Sequence, residues 1–375
     1  MRDATRHRRA ITIATLALTT AIPVAAHAQS ANEPTEHAAP RANRAVANID
    51  APTSVAWPVR RAWTDAAESE YGNFVATIGN AVAAGRCHSL AACLNNPAIN
   101  PLHEAGARAL NFRADCADTP YTLRAYFSYR KGLPFAYMRG VQGRGHDRRY
   151  LQGARPEGLR LWTAFSTPRH LIESIGSEVH SGFFRLAPEV EDGDFYQTSV
   201  DRNGIRPGTM YYNPNGHVLV VYAVQADGEI LMFDGHPDNS LSHPHFTERL
   251  PLGTAAYGGG FKNFRPFVFA NGSIVRTPNS QLPAFGGGAQ FDHARYAVSG
   301  RSVTFHSWVR ARVATDQALY ALRSATRGAR CEAHCAPDAT PRRALQRPAR
   351  PTQEFDRVRN IAAPSETVLA TRSRT

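Results

Sequence analysis

Apolar positions along the chain change period twice. From Trp57 to about Leu110 they recur every three or four residues, most regularly in "WTDAAESEYGNFVATIGNAVAAG", which predicts helix. The Pro- and Asn-rich "NNPAINP" then closes that region as a turn. Over residues 111–270 helical and strand periods alternate. Tyr121, Leu123, Ala125, Tyr126 and Phe127 predict a helix of about three turns that Gly132 and Pro134 stop. "TPRHLIESIGSEVHSGFFRL" predicts a second one, opened by Thr167 and Pro168. In "HVLVVYAVQADGEILMFDGH" seven of the eight residues from His217 to Val224 are apolar, and the Asp227-Gly228 pair predicts a hairpin between 217–224 and 229–234. "SVTFHSWVRARVATDQALYALRS" predicts one further helix. Helices followed by antiparallel strands make the α+β class.

Both ends of the chain lack these periods. Arginines at 2, 6, 8 and 9 precede an apolar run from Ala10 to about Ala26 and the small-residue "AHA", the arrangement of an export signal over 1–28. Residues 29–55 read as a flexible leader. Beyond about 329, Arg, Pro, Ala and Thr leave too little apolar content to offset the ordering entropy, so 329–375 is expected to be a disordered tail. "GGGAQ" at 286–290 reads as a hinge, with a possible helix completing 286–328. The body is then one catalytic-size domain at 56–285, with inserted material at about 135–205 that either shapes specificity or only packs. No later apolar run approaches the roughly 20 residues needed to cross a bilayer, so a periplasmic or secreted protein without a membrane span is expected.

Charge narrows the partners. The formal net charge is +12, but residues 301–375 carry +8 and residues 1–28 carry +3, which leaves about +1 for 29–300. A nearly neutral body gives no footprint for specific nucleic-acid binding.

Five cysteines in an exported chain read first as disulfides. Cys87 with Cys93 and Cys331 with Cys335 are the local pairs, which leaves Cys116 over. Asp115 is a good N-cap residue and Asp118 lies three positions on, so a helix should begin at or near Cys116, while Pro120 argues for a start at 117 or later or for a distorted first turn. A thiol at a helix start meets the positive end of the macrodipole and free N–H groups that favour thiolate and can later hold an oxyanion. A buried structural cysteine, or one bonded to Cys87 or Cys93, is the plainer alternative.

With a two-residue turn at 227–228, residues whose numbers sum to 455 lie opposite, so 221 faces 234 and 219 faces 236. His217 shares its face with 219, 221 and 223, and Asp234 and His236 fall on that same face. In this ideal ladder His236 is the nearer, and twist or a bulge is required to bring Asp234 close. A thiol at a helix start, an imidazole at a strand start and a polar group on the next strand form the constellation of thiol hydrolases. Taken singly, His217 reads as a satisfied strand-edge histidine and Asp234 as a turn aspartate.

"DCADTPYTLRAYFSYRKGLP" resembles the nucleophile segment of the NlpC-type cell-wall peptidases, and "RPGTMYYNPNGHVLVVYAVQADGEILMFDGH" is similar to the histidine hairpin of that papain-like superfamily and its CHAP branch. The CHAP pattern has an acidic residue 17 positions after the histidine and a polar one 19 after, here Asp234 and His236. The resemblance implies a papain-like fold with N-terminal helices, a nucleophile-bearing helix and an antiparallel sheet. It implies Cys116 as nucleophile, His217 as base and Asp234, alternatively His236, as orienter. A cysteine peptidase or amidase acting on amide bonds, in peptidoglycan or other peptides, without a cofactor, is the implied activity. Three rivals stand beside it: a non-catalytic wall-binding protein, a transglutaminase-like acyltransferase, and a metal-dependent hydrolase built on Asp234, His236, Asp238, His243 and His245.

Overall fold

A computed structural model describes residues 56–144 and 152–334. The predicted export signal and leader, the tail beyond His334 and Cys335 of the proposed Cys331–Cys335 pair lie outside the described residues, while 329–334, expected as the start of the disordered tail, are helical. The chain divides after Tyr320 into two compact units, and the fold and site belong to the first.

Helix α1 (Asp65–Ala83) opens where Thr64 accepts the Ala67 N–H and where Asp65 and Glu68 complement the positive helix end. It buries Tyr71, Phe74, Val75, Ile78 and Val82. Helix α2 (Leu90–Asn95) follows, and the Cys87–Cys93 disulfide joins it to the turn behind α1. Helix α3 (Asp118–Lys131) ends at Gly132, as its sequence predicts. The ten consecutive residues from Asp118 to Phe127 are all buried, so α3 is a central helix rather than an amphipathic surface one. Its one internal cation, Arg124, is kept there by Glu68 at 2.9 Å and by the Trp63 ring 3.2 Å below its guanidinium.

The segment 135–205 supplies the hairpin β1 (Ala136–Arg144) and β2 (Gln152–Leu161), helix α4 (Pro168–Glu178) and strand β3 (Phe195–Gln197). Thr167 caps α4 by accepting the His170 N–H, with Pro168 in its first turn. Tyr137, Trp162, Leu171, Ile175, Phe183 and Phe184 of this segment are fully buried in the same core as α1 and α3.

Strands β4 (Met210–Asn213), β5 (His217–Val224), β6 (Ile230–Gly235), β7 (Leu241–Ser242) and β8 (Gly260–Phe264) join β3 in a six-stranded sheet of order β3-β8-β4-β5-β6-β7. Every strand pairing in it is antiparallel, which establishes the α+β class. A hairpin of β9 (Phe267–Ala270) and β10 (Ser273–Arg276) and a small one of β11 (Ala297–Val298) and β12 (Arg301–Ser302) lie apart from the sheet.

The long apolar run of β5 has a simple cause. Val218, Val220 and Tyr222 face the α1/α3 core, while Leu219 and Val221 face a second core with Tyr211, Met232, Phe246 and Phe261. Helix α5 (Phe305–Val313) closes that second core with Phe305, Trp308, Val309 and Val313. The 286–290 segment, expected as a hinge, carries the buried Gln290, whose amide binds the N–H and carbonyl of Phe261 and the carbonyl of Thr198. The single helix predicted over 302–324 is two. Thr315 and Asp316 N–H groups both donate to the Ala226 carbonyl at 2.9 Å, and Asp316 then caps α6 (Gln317–His334) through the Leu319 N–H. Among the described residues no helix is long and apolar enough to cross a membrane.

The hairpin register differs from the two-residue expectation. Gln225 N–H bonds the Glu229 carbonyl and Gly228 N–H bonds the Gln225 carbonyl, so the loop holds three residues with Gly228 at φ +78°. That conformation and the crowding of a Cβ against the Arg310 carbonyl, 2.0 Å away, both require glycine. A bulge between Val221 and Ala223 then slips the strands again, so Val220 pairs with Phe233. Ala223 in consequence turns toward the first core, not to the face of Leu219 and Val221.

A buried cation of the sheet has no ion-pair partner among the described residues. Lys262 on β8 is buried with its ammonium on the Leu186 carbonyl at 3.2 Å, and burial, aided by Arg265, pulls it down to about 7. The unfolded chain therefore holds this proton up to about pH 10.4 while the folded one releases it near 7, so stability falls as pH drops through that interval. Lys262→Met is expected to stabilise the fold by about 1–3 kcal/mol at pH 7, with the gain shrinking toward pH 10. Calorimetry at both pH values checks this, and a lower melting point at pH 7 would give the Leu186 hydrogen bond the larger share.

Candidate functional site

Asp115 builds the start of α3. Its Oδ1 accepts the N–H groups of Ala117 (2.8 Å) and Asp118 (3.2 Å), its carbonyl accepts the Thr119 N–H, and its own N–H donates to Asp118 Oδ2 at 3.0 Å. This reciprocal pair is a capping box with Asp in both positions. Pro120 has no N–H for the Cys116 carbonyl, so regular helix runs from Asp118 and the turn before it is irregular, as the proline predicts. Burial first, and then the neighbouring Asp115, push the Asp118 carboxyl up to about 8. A largely neutral Asp118 limits the negative charge two residues from the cysteine.

The capping box consumes most of the free N–H groups at this helix start. Those of Ala117 and Asp118 are taken, and among the described residues the N–H of Cys116 has no acceptor. The thiol is free and half-buried, with Sγ 3.8 Å from the Gly216 carbonyl. Gly216 closes the Asn213–Gly216 turn between β4 and β5, where the Gly216 N–H donates to the Asn213 carbonyl and Asn213 Oδ1 accepts the Asn215 N–H. His217 is the next residue.

The slip in register decides which group meets His217. Continuing the Val220↔Phe233 pairing puts Leu219 level with Asp234 and His217 level with His236. Asp234 thereby sits one side-chain pair from His217 on the same face, two residues nearer than the ideal ladder allowed, one through the longer loop and one through the bulge. His217 Nε2 is hydrogen-bonded to Asp234 Oδ2, which leaves Nδ1 as the nitrogen available to the thiol. Asp234 is 2 % exposed and also accepts the Ser242 hydroxyl on Oδ1. His236 Nε2 lies 3.6 Å from that same Oδ1, with its ring 5.9 Å from the His217 ring and 22° from parallel. Cys116, His217, Asp234 and His236 are thus brought together.

Burial opposes charge on His217, but the hydrogen bond to Asp234 and the hydrogen bond and charge of Cys116 outweigh it and raise the imidazole to about 10. An imidazole so placed is protonated at neutral pH whenever the thiol gives up its proton.

The close approach of β6 to the thiol loop depends on Gly235. A Cβ there would lie 2.7 Å from Thr119 Oγ1, 2.8 Å from the Ala114 carbonyl and 2.9 Å from the Asp115 carbonyl. "DG" at 234–235 is therefore a strand-end contact and not a turn. The 236–240 loop docks on the same segment, where Asn239 Oδ1 accepts the Ala114 N–H and Arg113 donates to the Pro237 carbonyl.

His245 pairs with Glu229 at 3.1 Å and Asp238 binds the Ser240 hydroxyl and N–H, and among the described residues no three His, Cys, Asp or Glu converge as a metal site. Sequence reasoning missed Ser242, whose two-residue strand has no periodic signal, and the open N–H of Cys116, which depends on how Asp115 spends its oxygens. Comparison of the chain with known protein families, with characterised proteins and with solved structures finds no match.

Proposed function

We propose that this chain is a papain-like cysteine amidase or peptidase, exported to the periplasm or beyond and acting on amide bonds of peptidoglycan peptides. The observation that carries the reading is the free Cys116 thiol at a helix start beside His217, an imidazole raised to about 10 by Asp234 and by Cys116 itself. A thiol two residues ahead of α3, beside an antiparallel sheet bearing the imidazole, supports the papain-like architecture.

In this reading Cys116 passes its proton to His217 Nδ1 and the thiolate attacks the amide carbonyl carbon. The developing oxyanion takes the open Cys116 N–H as donor. His217 then gives the proton to the leaving amine nitrogen as the C–N bond breaks, which leaves a thioester. Water, deprotonated by His217, attacks that thioester; the C–S bond breaks and the acid product departs. Asp234 holds the ring by Nε2 and supports its charge, and Ser242 holds Asp234. The wall-peptide substrate rests on the resemblance and the predicted export.

Incubation of the mature protein with purified wall fragments is expected to release peptides with new amino and carboxyl termini, identified by mass spectrometry. Absence of new termini from both wall fragments and a random peptide library, with Cys116 confirmed as reduced, would remove the hydrolase reading. Recovery of amine-exchanged products instead would make it an acyltransferase.

A further inference from the structure

The 135–205 segment delivers one side chain to the turn that precedes His217. Arg185 is 1 % exposed and follows the buried Phe183 and Phe184, whose rings pack edge-on against Tyr121 of α3 at 6.2 and 5.9 Å. Its Nη1 donates to the Pro214 carbonyl at 2.7 Å and to the Tyr212 hydroxyl at 3.2 Å, and its guanidinium lies over the Tyr257 ring at 4.5 Å. Pro214 belongs to the Asn213–Gly216 turn, whose last residue offers its carbonyl to the Cys116 thiol and whose next residue is His217. One guanidinium nitrogen thus joins the β4 strand end to the turn, while the backbone carrying it follows two rings packed on α3.

We propose that Arg185 is a positioning residue of the thiol site, setting the distance between the Cys116 helix and His217 through the Pro214 carbonyl; this rests on the thiol–imidazole reading of that site. The inserted segment then completes the active centre rather than merely covering it. The reasoning is geometric. β5 is held along its length by β4 and β6, but the β4–β5 turn is anchored at Pro214 from outside the sheet by Arg185. A charge-assisted hydrogen bond to a half-buried carbonyl is the kind of contact whose loss lets such a turn shift, and displacements of about 1 Å suffice to change catalysis by about 10²-fold.

The test needs no substrate. Cys116 alkylation by iodoacetamide, a neutral reagent that does not sense the arginine charge, is timed at pH 6 and pH 9 by peptide mapping for the full mature chain and for Arg185→Met and Arg185→Lys. Thermal melting is recorded alongside. The unsubstituted chain is expected to react at pH 6 within a few-fold of its rate at pH 9. Arg185→Met is expected to lose at least about tenfold at pH 6 and little at pH 9 while melting as a folded protein, and Arg185→Lys, which keeps a cation and one donor, to recover part of the loss. An unchanged pH 6 to pH 9 ratio in Arg185→Met overturns the proposal. If Arg185→Met does not fold, the same ratio in Arg185→Lys decides: a wild-type value overturns the proposal and an intermediate one supports it. Slow, strongly pH-dependent alkylation of the unsubstituted chain itself would instead overturn the thiol–imidazole reading, with Arg185 falling as a consequence.

Discussion

Cys116→Ala is expected to reduce turnover of wall peptides by on the order of 10⁵- to 10⁶-fold, and His217→Ala by on the order of 10²- to 10⁴-fold, with both proteins folded. The two differ because they remove different things. Without Cys116 there is no atom to carry the acyl group, and the remaining Cys116-position N–H only polarises a carbonyl that water attacks slowly. Without His217 the thiol persists, but no group collects its proton or returns one to the leaving amine. Neither loss should unfold the chain, since Cys116 and His217 are each only half-buried and end, rather than fill, their elements. Iodoacetamide with non-reducing peptide mapping separates the mechanisms further: of Cys87, Cys93 and Cys116 only Cys116 should label, because Cys87 and Cys93 are joined. Activity retained in both variants would leave the amidase reading without support.

Much of this arrangement is written locally and is legible in the chain. Asp115, Asp118 and Pro120 specify how α3 starts and so where the thiol stands, because capping needs only neighbours within four residues. Gly132 stops the helix and Thr167 starts α4 for the same reason. The face shared by His217 and Asp234 is also legible, since a shift of two residues in register leaves side-chain parity unchanged. What is not legible is the distance along that face. Asp227-Gly228 is compatible with two- and three-residue loops, and the choice is made by Asp227 reaching α5, where Arg310 lies 3.5 Å away, and by Gly228 fitting under the Arg310 carbonyl. Those partners are more than eighty residues distant in sequence. The bulge beside Tyr222 likewise answers to packing on both faces of β5, a constraint absent from any single strand pattern. Arg185 gives no warning at all, because a buried arginine is recognised by its carbonyl and aromatic partners and not by its spacing.

Asp234→Asn is expected to cost on the order of 10²- to 10⁴-fold in kcat/KM, and His236→Ala roughly tenfold or less, a ranking set by where the two residues sit. Asp234 is 2 % exposed and hydrogen-bonds His217 directly, whereas His236 is 38 % exposed and touches only the far oxygen of that carboxylate, at 3.6 Å. An amide preserves shape and withdraws the carboxylate whose hydrogen bond, together with Cys116, holds His217 at about 10. The pH dependence carries the sign. The leaving amine needs His217 protonated, so the alkaline limb of kcat/KM should fall as pH rises through about 10 and should move downward in Asp234→Asn while staying in place in His236→Ala. Stability gives the same information without a substrate. The raised imidazole contributes stability that is complete below its unfolded value near 6.5 and is lost as pH rises through about 10. The melting difference between the unsubstituted chain and Asp234→Asn should therefore be largest near pH 6 and vanish by about pH 10. A larger kinetic loss in His236→Ala, with its alkaline limb displaced, would transfer the orienting role to His236.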